Sequence, residues 1–255
     1  MLYGVFSDVH GNLEALTEVL SFFEKADVEG YIFCGDLVGY GPDPEGCVQL
    51  VRGLRKSLMP VCGNHDQAAL GIIDPNWFNP YARQAVLWSR KMISEDSRTF
   101  LSRLTARLDG RLFTIAHGSP RRPAEEYMLT ASTFKENMPK VPVWPLFVGH
   151  SHMPLYMRIR TEHEAGAGDV ELDTIEEQKE VSGERRPFGV VPIVFNPGSV
   201  GQPRDQDWRA CCGLYDSDAL TFRIVRLEYN IALVQQKIRD AGLPEFLALR
   251  LAFGQ

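Results

Sequence analysis

Five of the six histidines in this 255-residue chain lie in a series of short polar motifs, most of which follow an apolar run. The motifs are Asp8-Val9-His10, Gly35-Asp36, Gly63-Asn64-His65-Asp66, His117-Gly118 and Gly149-His150-Ser151-His152. Carboxylate, imidazole and amide oxygen ligands suit divalent Mn, Fe, Co, Ni or Zn, and no cysteine stands within these motifs. Each motif alone carries little weight, but their recurrence predicts a metal site.

The elements before the first three motifs alternate between strand and helix. Leu2–Phe6 is an apolar run typical of a strand, and the apolar residues from Leu13 to Phe23 recur at helical spacing. Tyr31–Cys34 and Leu58–Cys62 predict two more strands, with a helix carrying Val48, Val51 and Leu54 between them. Parallel strands joined in this way place their following loops on one edge of a sheet. We therefore expect these three motifs to lie together.

The second half of the chain changes character. After a mainly helical stretch over 65–106, which we expect to form an outer layer or lid, short strand-like runs alternate with turns. These runs are Leu112–Ala116, Leu146–Val148, Leu155–Ile159, Val190–Phe195, Ala210–Tyr215 and Leu220–Leu227. They predict a second, more antiparallel sheet, closed by a helical segment from about Ile231.

The composition is that of an ordinary globular protein. About 44% of the residues are apolar, 24% are charged and the net charge is −6, which argues against an extended nucleic-acid-binding surface. No Pro/Gly/Ser-rich linker divides residues 1–255, so we expect a single domain. No signal-like start or apolar run of about 20 residues predicts a membrane segment. The five cysteines form no Cys-x-x-Cys pair, which favours a reduced, cytoplasmic location, and nothing here defines an oligomeric state.

One segment, 162–186, has low hydrophobicity. It carries nine acidic and three basic residues, and it includes His163, the sixth histidine, which we expect to be solvated. The segment predicts a surface hairpin or loop inserted between two strands. Its functional alternative is a flap that excludes substrates or binds a partner.

In combination, the motifs resemble the signature of the calcineurin-like metallophosphoesterases over residues 8 to 152, and the terminal strands extend the likeness over most of the chain. The resemblance implies an α/β fold, a four-layer α/β/β/α sandwich of two mixed β-sheets with a dinuclear metal site at the strands' carboxyl ends. It implies one ion held by Asp8, His10 and His152, a second held by Asn64, His117 and His150, and a bridging Asp36.

The resemblance also implies a mechanism. Two ions about 3.5 to 4 Å apart polarise a phosphoryl oxygen and generate a bridging hydroxide that attacks in line, so no covalent nucleophile is needed. Manganese is the leading candidate, and Fe, Ni, Co and Zn also suit these ligands. His65 corresponds to a histidine that faces the substrate, where it would stabilise the transition state or protonate the leaving oxygen. Its alternative is a hydrogen-bonding partner of a ligand, and Asp66 is expected to be structural.

The sequence around Asp36 limits the expected class of substrate. Serine/threonine phosphatases and diadenosine tetraphosphatases carry Gly-Asp-x-x-x-Arg-Gly, whereas here Tyr40 stands in the arginine's place. This departure favours the bacterial and archaeal branch of small phosphodiesterases. Tyr40 is a candidate for stacking on a base or sugar, with simple packing as the alternative.

A Gly/Ser-rich loop, 196–204, is a second candidate for substrate contact. Its backbone N–H groups could hold phosphate and Arg204 could bind a phosphate oxygen, while the alternative is a structural turn. Arg121 and Arg122 are weaker candidates for attracting an anion.

The leading functional hypothesis is a metal-dependent phosphodiesterase of a small phosphoester, including nucleotides. Alternatives within enzymes are a phosphomonoesterase, a polyphosphate-cleaving hydrolase and a nuclease, the last disfavoured by the acidic composition. From another class, the fold could serve as a non-catalytic binding scaffold, as in the retromer subunit that resembles these enzymes. All seven implied ligands are present here, which favours the enzyme.

Overall fold

Two six-stranded β-sheets pack face to face in the computed structural model, which describes residues 1–160, 169–187 and 189–255. The strands are β1 (Leu2–Phe6), β2 (Gly30–Phe33), β3 (Ser57–Pro60), β4 (Arg107–Asp109), β5 (Thr114–Ala116), β6 (Leu146–Phe147), β7 (Pro154–Arg160), β8 (Asp169–Thr174), β9 (Glu180–Ser182), β10 (Arg185–Arg186), β11 (Gly189–Val190), β12 (Ile193–Pro197), β13 (Ala210–Asp216) and β14 (Thr221–Leu227). The helices are α1 (Leu13–Lys25), α2 (Pro44–Arg52), α3 (Asn64–Leu70), α4 (Pro80–Met92), α5 (Glu95–Ser102), α6 (Ala131–Asn137), α7 (Ile231–Asp240) and α8 (Glu245–Leu251).

The first sheet has the order β3-β2-β1-β13-β14-β9. Strands β1, β2 and β3 are parallel, as predicted, so their carboxyl ends share one edge. The prediction that Ala210–Tyr215 and Leu220–Leu227 belong to the second sheet is wrong, because β13 pairs antiparallel with β1 and β14 pairs with β13. Strand β13 covers the edge of β1 that β2 leaves unpaired, a pairing between distant parts of the chain that a local pattern cannot reveal.

The second sheet has the order β4-β5-β6-β12-β7-β8. It is mixed, since β5, β6 and β12 run parallel, β4 and β7 are antiparallel to them, and β8 is antiparallel to β7. The run Val190–Phe195, predicted as one strand, is divided between β11 and β12. Pro192 lies at the division and has no N–H to give to a strand ladder.

The acidic segment is not a simple surface loop where the structure describes it, in 169–186. Strand β8 pairs with β7 at the border of the second sheet, and β9 pairs with β14 at the border of the first. Strands in such positions tolerate many charged residues, which is why low hydrophobicity suggested a loop. His163 lies outside the described residues, so its predicted solvation stays a prediction.

Three apolar layers hold the four-layer sandwich together and confirm the predicted architecture. One lies between the first sheet and helices α1 to α5, α7 and α8, and includes Phe6 and Phe33. A second lies between the sheets, where Phe147, Phe195 and Phe222 pack on one another. A third lies between the second sheet and α6. In the described part of the chain, no helix is long and apolar enough to cross a membrane.

Candidate metal centre

The seven predicted ligands meet between the carboxyl ends of the two sheets. Each follows a parallel strand: β1, β2 and β3 in the first sheet, and β5 and β6 in the second. None of the seven side chains is more than 8% exposed. The face-to-face packing of the sheets therefore brings together residues that stand up to 144 positions apart in the sequence (8 to 152).

The inner cluster consists of Asp8, His10 and His152. The Nε2 atom of His152 lies 3.3 Å from Oδ1 of Asp8 and 3.1 Å from Nε2 of His10. The carboxylate of Asp36 is next to this group, with Oδ2 3.7 Å from Nε2 of His10. The three side chains present ligand atoms within 4.8 Å of one another, a spacing that could hold a metal ion.

The outer cluster consists of Asn64, His117 and His150. Nε2 of His117 lies 3.1 Å from Oδ1 of Asn64 and 3.2 Å from Nδ1 of His150. The same Oδ2 atom of Asp36 lies 3.3 Å from Nε2 of His117. Asp36 thus stands between the two clusters, the position expected of a bridging ligand.

The hydrogen bonds of the four histidines fit a bound cation. In each ring one nitrogen lies within hydrogen-bond distance of a backbone carbonyl: His10 Nδ1 to Val38 (3.2 Å), His152 Nδ1 to Gln202 (2.6 Å), His117 Nδ1 to Cys34 (2.8 Å) and His150 Nε2 to Glu125 (3.3 Å). A neutral imidazole that donates from one nitrogen has only a lone pair on the other. The lone pairs therefore converge on carboxylate and amide oxygens without a donor between them. Asp8 Oδ1 is buried with no hydrogen-bond partner, as expected of an oxygen that binds a cation.

The ionisation of the buried acids is consistent with such a cation. Burial raises the pKa of Asp8 to about 7, and the neighbouring Asp36 adds to the rise. Burial would also raise the pKa of Asp36, but His117 and His65 hold it below its usual value. Without a metal ion, Asp36 in turn raises the pKa of His117 to about 9 against the effect of burial, so that the protonated ring supplies positive charge. A bound ion would replace that proton and leave His117 as the neutral ligand described above. Two carboxylates this close need positive charge to remain ionised together.

The backbone of the site is strained. Nine non-glycine residues in the described chain have positive φ, and five of them are candidate ligands: Asp8 (53°), His10 (50°), Asp36 (59°), His150 (65°) and His152 (60°). A left-handed conformation costs roughly 1 to 3 kcal/mol at such a residue and persists where the surroundings enforce it. Here Asp8 N donates to Gly35 O at 2.9 Å, which ties the two loops together. The concentration of strain at one place points to a functional site.

Two glycines and one aspartate build the loops around Asp36 and Asp8. A Cβ on Gly63 would lie 2.0 Å from Oδ1 of Asp36, and one on Gly149 would lie 2.0 Å from Oγ of Ser7, so only glycine allows these approaches. The carboxylate of Asp66 accepts four backbone N–H groups at 2.9 to 3.1 Å, from Asp36, Leu37, Val38 and Gly63. Asp66 is structural, as predicted.

A cavity of about 300 Å³ opens over the clusters. His65 lines it and is 4% exposed, and its Nδ1 has no hydrogen-bond partner. Phe78 stacks on the His65 ring at 4.6 Å, and Tyr127 stacks on His150 at 4.0 Å. His65 therefore faces the space in which a substrate would sit, although it also lies within ligand distance of His10 and Asp36.

The predicted substrate contacts differ in whether their side chains or N–H groups face the cavity. Tyr40 is only 7% exposed, and its ring packs against His10 and His65 at 4.7 and 4.5 Å, which favours packing over stacking on a base. Arg204 lines the cavity. The rest of its loop is a structural turn, since the N–H groups of Gly198, Val200 and Gly201 bond within the protein. For these three groups the structure therefore favours the structural turn over the alternative of phosphate binding.

Arg121 and Arg122 are also not free to attract an anion. Arg121 pairs with Glu126 and Glu136, and Arg122 with Glu125. Sequence reasoning also missed six residues that line the cavity, namely Trp77, Phe78, Asn79, Ala82, Tyr127 and Arg250. None stands beside a metal motif, and the aromatic pair Trp77-Phe78 between two prolines gave only a weak signal.

The fold and the converging ligands define a metallophosphoesterase. Residues 1–219 match the model of the calcineurin-like phosphoesterase superfamily domain. The chain is 34% identical, over 261 aligned positions covering all of it and 98% of the relative, to protein MJ0912 of Methanocaldococcus jannaschii. The chain therefore belongs to the calcineurin-like phosphoesterase superfamily, and this membership indicates a metal-dependent phosphoester hydrolase.

Solved structures agree with this assignment. The chain is similar to a metallophosphoesterase from Sphaerobacter thermophilus, with a TM-score of 0.84 and 37% identity over 100% of this chain and 99% of that one. It shares its fold with protein PH1004 of Pyrococcus horikoshii OT3, with a TM-score of 0.77 and 20% identity over 100% of this chain and 98% of that one. Both likenesses span the whole chain, including α7 and α8.

Proposed function

We propose that this protein hydrolyses a small phosphodiester with the help of two divalent metal ions. The observation that carries the proposal is the convergence of two groups of lone pairs that share Asp36 and open into one cavity. The inner cluster with Asp36 would hold one ion, and the outer cluster with Asp36 the other. Two bound ions would polarise a phosphoryl oxygen and lower the pKa of a shared water.

The protein groups around the ions would orient the ligands and assist the departure of the leaving group. The backbone carbonyls of Val38, Gln202 and Cys34 fix the ring orientations, so the ligand set needs little rearrangement on loading. His65 is placed at the cavity wall, where it would donate a hydrogen bond to the leaving oxygen or protonate it. Manganese as the metal and a cytoplasmic location stay predictions from the sequence.

The size of the cavity supports a small substrate. At about 300 Å³ it is at the lower limit of ordinary ligand sites and has no room for a nucleic-acid duplex. The net charge of −6 also disfavours a polynucleotide, whose binding is driven by basic surfaces. A small phosphoester, including a nucleotide, is therefore the proposed substrate class.

The direct test is reconstitution. Metal-free protein receives Mn, Ni, Fe, Co or Zn in turn and is assayed on bis(p-nitrophenyl) phosphate and p-nitrophenyl phosphate, with bound metal measured by elemental analysis. We expect two ions per chain and faster hydrolysis of the diester. Asp36→Asn should lose both ions. Its activity should fall by more than about 100-fold, because losing even the hydrogen-bonding partner of a metal ligand costs up to about 100-fold.

The matched control is Asp96→Asn, the same substitution at an exposed residue of α5, which should change neither quantity. Two bound ions without turnover on any phosphoester would instead support the non-catalytic scaffold. Full activity of Asp36→Asn would contradict the proposed site.

The role of His65 has its own test. His65→Ala should keep both ions but lose roughly 100-fold or more on substrates with alkoxide leaving groups, since these need protonation, and less on nitrophenyl esters. The measurement is the ratio of kcat values for the two classes. Equal losses would show that His65 acts without donating a proton.

A further inference from the structure

Two arginines that line the cavity pair with no Asp or Glu side chain of the described residues. Nη2 of Arg204 donates to Oε1 of Gln202 at 3.0 Å, and Nε of Arg250 donates to the backbone oxygen of Gln255. Arg204 follows the loop after β12, and Arg250 lies on α8 near the end of the chain; both line the cavity. The nearest carboxylates in sequence are already engaged, because Asp205 pairs with Arg226 and Asp207 with Arg209.

The two guanidinium groups share one aromatic ring. The Cζ atoms of Arg204 and Arg250 lie 5.8 and 6.0 Å from the centroid of Tyr40. Nη2 of Arg204 is 3.4 Å from the Tyr40 hydroxyl, and Nε of Arg204 is buried without any hydrogen-bond partner. Burial, together with the charge of Arg204, lowers the pKa of Arg250 to about 10. The protein therefore holds two partly desolvated like charges close together, an unfavourable arrangement that a bound anion would relieve.

The pair is adjacent to the metal centre. Tyr40 contacts both guanidinium groups as well as His10 and His65, and the backbone N–H of Arg204 donates to the carbonyl of His152 at 3.3 Å. An anion held by the arginines would thus occupy the same cavity as a phosphoryl group at the two clusters, beside Tyr40. The planar forks of two arginines suit phosphate, which accepts two hydrogen bonds from each.

We propose that Arg204 and Arg250 form a subsite for a second phosphate of the substrate, one that is bound but not cleaved. The inference rests on the proposed phosphodiesterase function and deepens it by naming the substrate class. Substrates with a phosphate beyond the scissile one, such as esters of nucleoside bisphosphates, are preferred to diesters with a single charge. Tyr40, which the sequence offered as a base-stacking residue, instead keeps the two arginines in place.

The test uses two chromogenic substrates that differ by one phosphate: thymidine 5′-(p-nitrophenyl phosphate) and the same ester with a 3′-phosphate. The wild-type protein should have a higher kcat/KM for the second. Arg250→Met keeps an unbranched chain against Tyr40 but removes the charge, and it should reduce this preference by about ten- to a hundredfold through KM. Arg250→Lys should restore part of it, because it restores the charge without the fork.

Arg55→Met is the matched control, since Arg55 is exposed just before the amino end of β3, at the opposite end of the sheet. The ratio between the substrates within one variant is unaffected by partial loss of folded protein. An unchanged ratio in Arg250→Met, or a wild-type protein that prefers the singly charged ester, would overturn the subsite while leaving the phosphodiesterase proposal intact.

Calorimetry separates the two proposals. Thymidine 3′,5′-bisphosphate should bind metal-loaded wild-type protein at least about tenfold more tightly than thymidine 5′-phosphate, and Arg250→Met should remove the difference. If neither ester is hydrolysed, the proposed function fails for these substrates, and this binding difference then decides the subsite alone. Equal binding of both nucleotides would refute it.

Discussion

The two ligand clusters are supported in different ways. In the inner cluster, Asp8 and His10 are at most 1% exposed, and the ring of His10 is held by the loop that directly follows β2. In the outer cluster, Asn64 and His150 are each 8% exposed and line the cavity, whereas His117 is fully buried. The inner cluster thus reaches the cavity only through His152, while two of the three outer ligands line it. The strand ends hold the inner cluster, whereas the outer cluster also depends on the segment that covers it.

The covering element is the loop between β5 and α6. Its Glu125 carbonyl lies 3.3 Å from Nε2 of His150, and its Tyr127 stacks on the same ring. Glu126 fixes the loop by accepting from Ser119 Oγ at 2.6 Å and Asn137 Nδ2 at 2.9 Å, in addition to its salt bridge with Arg121. These bonds hold the pKa of Glu126 at about 2, so it stays ionised over the physiological range.

The largest expected effect comes from removing one ligand of each cluster. His10→Ala and His150→Ala should each retain one ion and lose more than roughly 100-fold in activity, since both ions are needed. The rate at which a chelator removes each ion should distinguish the two sites, because the outer ion at the cavity wall is easier to reach. Wild-type protein should lose its ions in a fast and a slow phase, His150→Ala should lack the fast phase and His10→Ala the slow one. A single phase in the wild type would remove the distinction between the clusters.

A smaller effect is expected from the support of the outer cluster. Glu126→Gln removes the negative charge that anchors the loop between β5 and α6. His150 should then lose its fixed orientation, and the outer ion should bind about 10- to 100-fold more weakly. Metal titration monitors both sites, and affinity at the inner site should not change. Glu136→Gln is the control, because Glu136 is exposed and pairs with the same arginine without contacting the loop's other anchors. Equal weakening at both sites would show that the clusters are not supported separately.

The smallest effect should follow from the ring on His150. Tyr127→Leu keeps apolar contact but removes the stacking, which is worth about 0.5 to 1.5 kcal/mol and corresponds to roughly two- to twelvefold in affinity for the outer ion. Isothermal titration with the preferred metal measures it. A loss as large as that of Glu126→Gln would mean that stacking, and not the loop's anchoring, orients His150.

Local patterns in the sequence were sufficient to predict the functional residues that directly follow a strand. The strand Leu2–Phe6 and helix α1 agree with the periodicity, and the motifs that follow the parallel strands contain every candidate ligand. Such patterns predict an element because side-chain periodicity reflects which face is buried. They failed for the border strands β8 and β9, whose charged residues are compatible with a loop, and for the sheet membership of β13 and β14.

The sequence by itself determined which residue types stand at the ends of the strands, and hence the chemistry of the ligands, since each motif is a local continuation of its own strand. The tertiary structure alone decided which atoms face one another. It placed Asp36 between the clusters, tied up Arg121 and Arg122 in salt bridges, and brought Arg250 from α8 to Arg204 across Tyr40. The physical reason is that charge neutralisation and the sharing of a cavity depend on distances of a few ångströms between segments far apart in the chain, which no local pattern records.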